Sequence, residues 1–186
     1  MTTIVGLVHD GKVYMGGDSQ TTRHWTQGIL RHSKVFYLPK SGLLVGCTGL
    51  SRYVDIVKYH VDVELTAQRH DILEKLVTVF VPSVREALKT HAASMTENGQ
   101  EHADESCMLI GYQHRLFVLD SKFSVTEYER GFDAIGSGGD IALGAMAVLS
   151  SRLNPEVRIK RALQAAADCG LYVRPPFTIR NTGELS

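Results

Sequence analysis

The chain has 186 residues, 44% apolar and 22% charged, with 20 basic side chains balancing 20 acidic ones. This is enough for one domain with a full core, read as a single domain over residues 1–186. A formal net charge of zero gives no electrostatic reason for a nucleic-acid or anionic-membrane partner, and no apolar run reaches transmembrane length.

Strand-like alternation begins at once, with no basic segment before it, so a signal peptide is not expected and a cytoplasmic location is. Residues 3–8 are rich in β-formers, Asp10-Gly11 is a hairpin turn, and residues 12–15 return as a second strand ending at Gly16-Gly17-Asp18. A third strand is predicted over 34–38, a turn at Pro39-Lys40-Ser41-Gly42, and a short buried strand over 43–47. Hairpins in succession with no helix between them make an antiparallel sheet. A helix from Ser51 to about Gln68 carries Tyr53, Ile56, Val57, Tyr59 and Val63 at helical spacing. Asp71 is a predicted N-cap for a second helix, with Ile72, Leu73, Leu76, Val77 and Phe80 on one face and Pro82 kinking or dividing it.

Residues 97–105 are polar and read as an exposed loop; 108–111 and 116–120 read as a strand pair, and 123–128 as a further strand. A short strand over 132–135 runs into Gly136-Ser137-Gly138-Gly139-Asp140, which opens an Ala-rich helix from Ile141 to about Leu153. Asn154-Pro155-Glu156 starts a last helix reaching about Cys169. Residues 171–179 read as a final strand interrupted by Pro175-Pro176. Cys47, Cys107 and Cys169 are odd in number and isolated, which suits reduced thiols rather than a disulfide framework. The succession of strands, two helices, strands, two helices and a strand places helices on both faces of stacked sheets.

Methionine before a small residue is the usual substrate for removal. Its loss would leave Thr2 with a hydroxyl and a free α-amine, a nucleophile and a base on one residue. An α-amine of pKa roughly 7.7–8 is partly neutral near pH 7 and can accept the hydroxyl proton. Most chains with threonine at position two use it for nothing. Taken singly, the other candidates also have plain readings: Asp18 as a turn residue, Lys34 as an edge-strand or snorkelling lysine, Ser137 as a helix N-cap. The Ser-Gly-Gly stretch lacks the Lys-Ser/Thr ending of a phosphate loop and the spacing of a dinucleotide fingerprint. The eight histidines, among them His24, His32 and His91, lack metal-ligand spacing.

Together, Thr2, Asp18, Lys34, Thr48-Gly49, Gly136-Ser137-Gly138-Gly139 and Asp168, in this order, resemble the proteasome β-subunit family of N-terminal nucleophile hydrolases, and within it the bacterial HslV peptidases. The likeness rests on Thr2-Thr3-Ile4-Val5, on Gly17-Asp18-Ser19-Gln20-Thr21-Thr22, on Ala134 through Gly139, and on Ala166-Ala167-Asp168 with Leu171-Tyr172. The resemblance implies an α+β fold, a four-layer αββα sandwich with two antiparallel sheets. It implies Thr2 as nucleophile, Lys34 as the cation beside its hydroxyl, and Asp18 as the partner that holds Lys34. Ser137 and Asp168 would position the Thr2 amine, and the Gly49 N–H would stabilise the oxyanion. Thr22 would lie on a strand that pairs with extended substrate, with Thr48 also on the substrate side.

No cofactor is required by the resemblance, although backbone carbonyls of Ala167, Gly170 and Val173 would hold a sodium ion. The family pattern has glycine, cysteine and threonine at those three places, but carbonyl ligands survive side-chain changes. The implied assembly is a closed homo-oligomeric double ring that degrades unfolded polypeptides with an ATP-dependent, HslU-like unfoldase. About ten residues beyond the family length fall in the 97–105 region and the tail. Two other readings stay open: a non-catalytic ring subunit that keeps Met1, so that Thr2 has no amine base, and an N-terminal nucleophile amidase for a small amide.

Overall fold

The computed structural model describes residues 2–66 and 70–185. Asp10 and Gly11, both at positive φ, turn β1 (Thr3–His9) back into β2 (Lys12–Gly17). Then come β3 (Gln20–Arg23) and β4 (Thr26–Ile29), a separate two-stranded hairpin, followed by β5 (Val35–Leu38) and β6 (Leu43–Cys47). The first helical layer is α1 (Ser51–His60), α2 (Ile72–Lys75) and α3 (Val81–Thr90). A small hairpin of β7 (Met95–Glu97) and β8 (Gln100–His102) precedes β9 (Met108–Tyr112), β10 (Arg115–Leu119), β11 (Val125–Glu127) and β12 (Phe132–Gly136). The chain closes with α4 (Gly139–Val148), α5 (Pro155–Cys169), β13 (Thr178–Asn181) and a 3-10 turn, Thr182–Leu185.

Two antiparallel sheets form, in the orders β12-β1-β2-β13 and β11-β10-β9-β6-β5. Period-two alternation sends neighbouring side chains to opposite faces. Ile4, Val13 and Met15 of the first sheet meet Val35, Leu44, Leu109 and Leu116 of the second. Val5 and Leu7 point the other way, onto Ala142, Met146, Ile159 and Leu163 of α4 and α5. On the second sheet Leu43, Val45 and Cys47 face Tyr53, Val57, Phe80 and Val84 of the first helical layer. Three apolar layers between four structural layers make the expected αββα sandwich. Among the described residues no helix is long and apolar enough to cross a membrane.

Several elements differ from the sequence expectations. The first helix stops at His60; 61–66 carry no regular structure, and Gln68 lies outside the described residues. Tyr59, placed on its apolar face, is exposed. Asp71 precedes α2 without capping it by its side chain. Pro82 does not break the helix: a π turn over Leu76–Phe80, closed by the Val81 N–H on the Leu76 carbonyl, widens the coil just ahead of it. That turn accommodates a ring that would otherwise strike the carbonyl four residues back. The 97–105 stretch is exposed over 97–100 but not throughout: it forms a hairpin, with Asn98-Gly99 at positive φ as its turn, and Ala103 is buried in the core. The Ala-rich helix ends at Val148, and the final strand is confined to Thr178–Asn181 because 171–177 contains the Pro175-Pro176 pair. Asn154 does cap α5, its Oδ1 accepting from the N–H groups of Glu156 and Val157.

Candidate active site

The register of β1 against β12 sets Thr3 opposite Gly136, which brings Thr2 beside Ser137. The Thr2 N–H donates to Ser137 Oγ at 3.2 Å, and Ser137 Oγ donates to the Thr2 carbonyl at 3.3 Å. Only glycine fits at 136: its φ is +93°, and a Cβ would lie 2.1 Å from the Thr2 carbonyl oxygen. Thr2 itself is 6% exposed.

Where β2 ends, the chain turns at Asp18, whose N–H donates to the Thr3 carbonyl at 3.2 Å. The buried Asp18 carboxylate accepts three hydrogen bonds. Oδ1 takes the Thr3 N–H and the Lys34 Nζ, each at 2.9 Å, and Oδ2 takes the Gln20 N–H at 2.9 Å. Lys34, one residue before β5 and also 6% exposed, donates a second bond from Nζ to the Gln20 carbonyl at 2.6 Å. Burial pushes the Lys34 pKa down; the charge and hydrogen bond of Asp18 oppose this, and the net direction is downward. Lys34 thus gives up a proton more readily than a surface lysine, while Asp18 fixes its position. Removing one partner of such a pair leaves an uncompensated buried charge, at a cost of roughly 3–5 kcal/mol.

After β6 the backbone passes Thr48, Gly49 and Leu50. The Thr48 N–H donates to the Cys107 carbonyl at 2.9 Å and the Leu50 N–H to Ser106 Oγ at 3.3 Å. The Gly49 N–H between them donates to no group among the described residues, so one backbone donor is left for a ligand. Gly49 has φ +100°, and a Cβ there would sit 2.1 Å from Ser106 Oγ. Two cavities, of about 320 and 380 Å³, meet at Thr2, and Gly49 and Leu50 border both. Lys34 and Thr22 line the first; Thr48 and Ser137 line the second.

The structure therefore gathers Thr2, Asp18, Lys34, Gly49, Thr48, Thr22 and Ser137. Asp168 stands differently. Its exposed carboxylate accepts from Gln164 Nε2 at 2.7 Å, its neighbour one helical turn back, and it lines neither cavity. Ala167 lies in the last turn of α5, the Gly170 N–H closes onto the Ala166 carbonyl, and the Val173 side chain is buried in the adjoining core. Among the described residues no group of three or more His, Cys, Asp or Glu side chains is placed to hold a metal ion. Two contributors escaped the sequence reading. Gln20 holds both Asp18 and Lys34, but through backbone atoms that any residue owns. Ser106, wholly buried under Gly49, belongs to no local motif, and only the fold brings it there.

An αββα sandwich whose first strand delivers a threonine to a buried Asp–Lys pair has the architecture of the N-terminal nucleophile hydrolases. The chain belongs to the proteasome subunit family, whose model matches residues 1–170. It is 29% identical over 185 residues to the ATP-dependent protease subunit HslV of Bartonella quintana, covering 96% of this chain and 87% of that one. It is 28% identical over 186 residues to the protein of the same name from Desulfovibrio desulfuricans, covering 96% of each. Among solved structures, Thiobacillus denitrificans BPH in complex with epoxomicin superposes with a TM-score of 0.80 over 97% of both chains at 22% identity, a likeness of fold.

Proposed function

We propose that the chain is a threonine peptidase subunit that works after removal of Met1. The Thr2 nitrogen, already within hydrogen-bond reach of Ser137 Oγ, then becomes an α-amine beside its own hydroxyl. The hydroxyl oxygen attacks a peptide carbonyl carbon as its proton passes to the amine. The Gly49 N–H receives the developing oxyanion, and the Lys34 ammonium lowers the cost of the negative charge on the Thr2 oxygen. Collapse breaks the C–N bond, the leaving amine takes the proton, and water hydrolyses the Thr2 ester. The observation that carries this reading is the buried Lys34, paired with Asp18 behind it, in the same cavity wall as Thr2. A purely structural subunit has no need of a desolvated ion pair there.

In this reading the subunits close into a homo-oligomeric double ring that hides these sites and is fed with unfolded polypeptide by an HslU-like ATPase in the cytoplasm; the names of the HslV relatives, ATP-dependent protease subunits, support the subunit role and the ATP dependence. The carbonyls of Ala167, Gly170 and Val173 suit a sodium ion. They are neutral oxygen donors at and beyond the end of α5, where the last carbonyls of a helix lack intrahelical donors and partial negative charge gathers. Such an ion would brace the Asp168 turn.

The test is intact mass followed by hydrolysis of fluorogenic peptides. Met1-free protein is expected to cleave, Thr2→Ala to lose cleavage with its fold intact, and Thr2→Ser to keep part of it. Thr2→Ala cleaving as fast as the parent would sink the threonine mechanism. An inert parent lacking Met1 would instead make this a non-catalytic ring subunit.

A further inference from the structure

We propose that Ser106 is a positioning residue for peptide cleavage, backing the 48–50 loop so that the Gly49 N–H faces the developing oxyanion. The proposal rests on the peptidase reading and deepens it. The ladder of β6 against β9 ends with Cys47 opposite Met108. Beyond it, side chains keep the two segments joined. The Cys107 N–H donates to Thr48 Oγ1 at 3.3 Å, and the Leu50 N–H donates to Ser106 Oγ at 3.3 Å. With the Thr48 N–H on the Cys107 carbonyl at 2.9 Å, the peptide planes before and after the one that carries the Gly49 N–H are both pinned. Ser106 has no accessible surface, and a buried hydroxyl is stable only where it is hydrogen-bonded. An alanine would pack there without that demand. The Ser106 hydroxyl spends its bonds on the Leu50 N–H and, at 3.4 Å, on the Asp104 carbonyl.

A second, independent observation is the turn that delivers Ser106. The Ser106 N–H closes onto the Ala103 carbonyl at 2.9 Å, and the two residues between, Asp104 and Glu105, have φ +42° and +53°. Consecutive left-handed residues without a glycine are costly and persist where their surroundings impose them, most often at functional sites. Both line the second cavity beside Thr2. The turn is tied down behind: Ala103 is buried with its N–H on the Ser121 carbonyl at 2.8 Å, and the Asp104 N–H donates to His102 Nδ1 at 3.2 Å. It sets Ser106 against the bare Cα of Gly49, where a Cβ would lie 2.6 Å from the Ser106 Cα. An oxyanion donor acts on the transition state and not on bound substrate, so a residue that aims it acts on kcat and not on KM.

The experiment compares fluorogenic peptide hydrolysis by Met1-free parent, Ser106→Ala and Ser106→Cys. Ser106→Ala is expected to lower kcat between about tenfold and 100-fold with KM within about twofold, the scale of a misplaced catalytic group. A peptide aldehyde, whose tetrahedral adduct with Thr2 places its oxygen at the Gly49 N–H, should bind Ser106→Ala more weakly by the factor lost in kcat/KM. A peptide titrated into Thr2→Ala protein should bind equally with and without Ser106→Ala. Ser106→Cys keeps the shape with a weaker acceptor, so it should fall between, and it carries the same test if alanine loosens the fold. Parental kcat in Ser106→Ala overturns the proposal. Equal loss of aldehyde and peptide binding overturns it too, because that is general damage to the cavity. If no form cleaves, the peptidase reading is what fails, and backbone amide exchange over 48–52 decides the pin. Faster exchange in Ser106→Ala then supports it, and unchanged exchange overturns it.

Discussion

Lys34 and Asp18 illustrate how few residues set the chemistry. Three donors converge on one buried carboxylate, and one of them is the ammonium that borders the Thr2 cavity. Replacing Lys34 by Met removes the charge while keeping the stem. We expect peptide hydrolysis to fall by about 100-fold or more. A variant with parental activity would remove Lys34 from the mechanism. The same residue has a stability signature. Its folded pKa is lowered below 10.5, so between the two values the unfolded chain binds more protons than the folded one. Stability contributed by this site therefore rises with pH towards 10.5. In urea melts at increasing pH, the midpoint of the parent minus that of Lys34→Met should climb over the alkaline range; a flat difference would contradict the assigned direction. Thr2, Asp18, Lys34 and Ser137 were legible in sequence because each sits in a short block of fixed residue types. Asp168 was legible as a residue but not as a contact, because Gln164, four positions back on the same helix, competes for its carboxylate.

At the scale of elements, turn chemistry, alternation and, for β6, a short continuous apolar run located the strands of both main sheets except β13, which the Pro175-Pro176 pair delays to Thr178–Asn181. The β3–β4 hairpin escaped because its side chains, Gln20 to Arg23 and Thr26 to Ile29, are mostly polar and give no apolar period. It nevertheless builds the cavity wall, pinned by the Ser19 N–H on the Arg174 carbonyl at 3.1 Å and by Gln20 Nε2 on the Leu171 carbonyl at 3.3 Å. The Asn98-Gly99 hairpin carried its signal openly, but the polarity around it read as loop. The C-terminal tail closes back on the sheets through Tyr37, whose hydroxyl reaches Glu184 Oε2 at 2.6 Å and the Asn181 carbonyl at 2.9 Å. Burial, then the hydrogen bond to Glu184, pushes the Tyr37 pKa up to about 12. A raised folded pKa means the stabilisation is complete below the ordinary tyrosine value of about 10 and is lost as pH rises through about 12. Tyr37→Phe should therefore loosen the tail at neutral pH, seen as faster amide exchange at 178–185, and its stability deficit against the parent should close between those two pH values. Unchanged exchange in Tyr37→Phe would show that β13 holds the tail without it.

For the whole molecule, the decisive feature is α4. Its ten residues include one charged side chain, Asp140, and apolar or small residues on every face. Ala142 and Met146 are buried against the first sheet, yet Ile141 lies on the outside and Val148 is 85% exposed. A helix that is apolar all round is normally covered on all sides, and an uncovered apolar face marks an association surface. The proposed ring supplies the cover, with further copies of the chain as the covering surface, and a closed symmetric assembly repeats the contact at every subunit. An Ala-rich helix inside a monomer and one at an interface have the same composition, so the sequence marks α4 as a helix without saying which of its faces another copy covers. Val148→Asp places a charge on that face without touching the Thr2 cavities. Far-ultraviolet circular dichroism should be unchanged, and light scattering should show the parent at a large multiple of the 20.5 kDa chain mass and the variant at a smaller multiple. If the α4 face is not an interface, Val148→Asp will scatter like the parent. A parent that scatters at 20.5 kDa across concentrations would refute the ring itself.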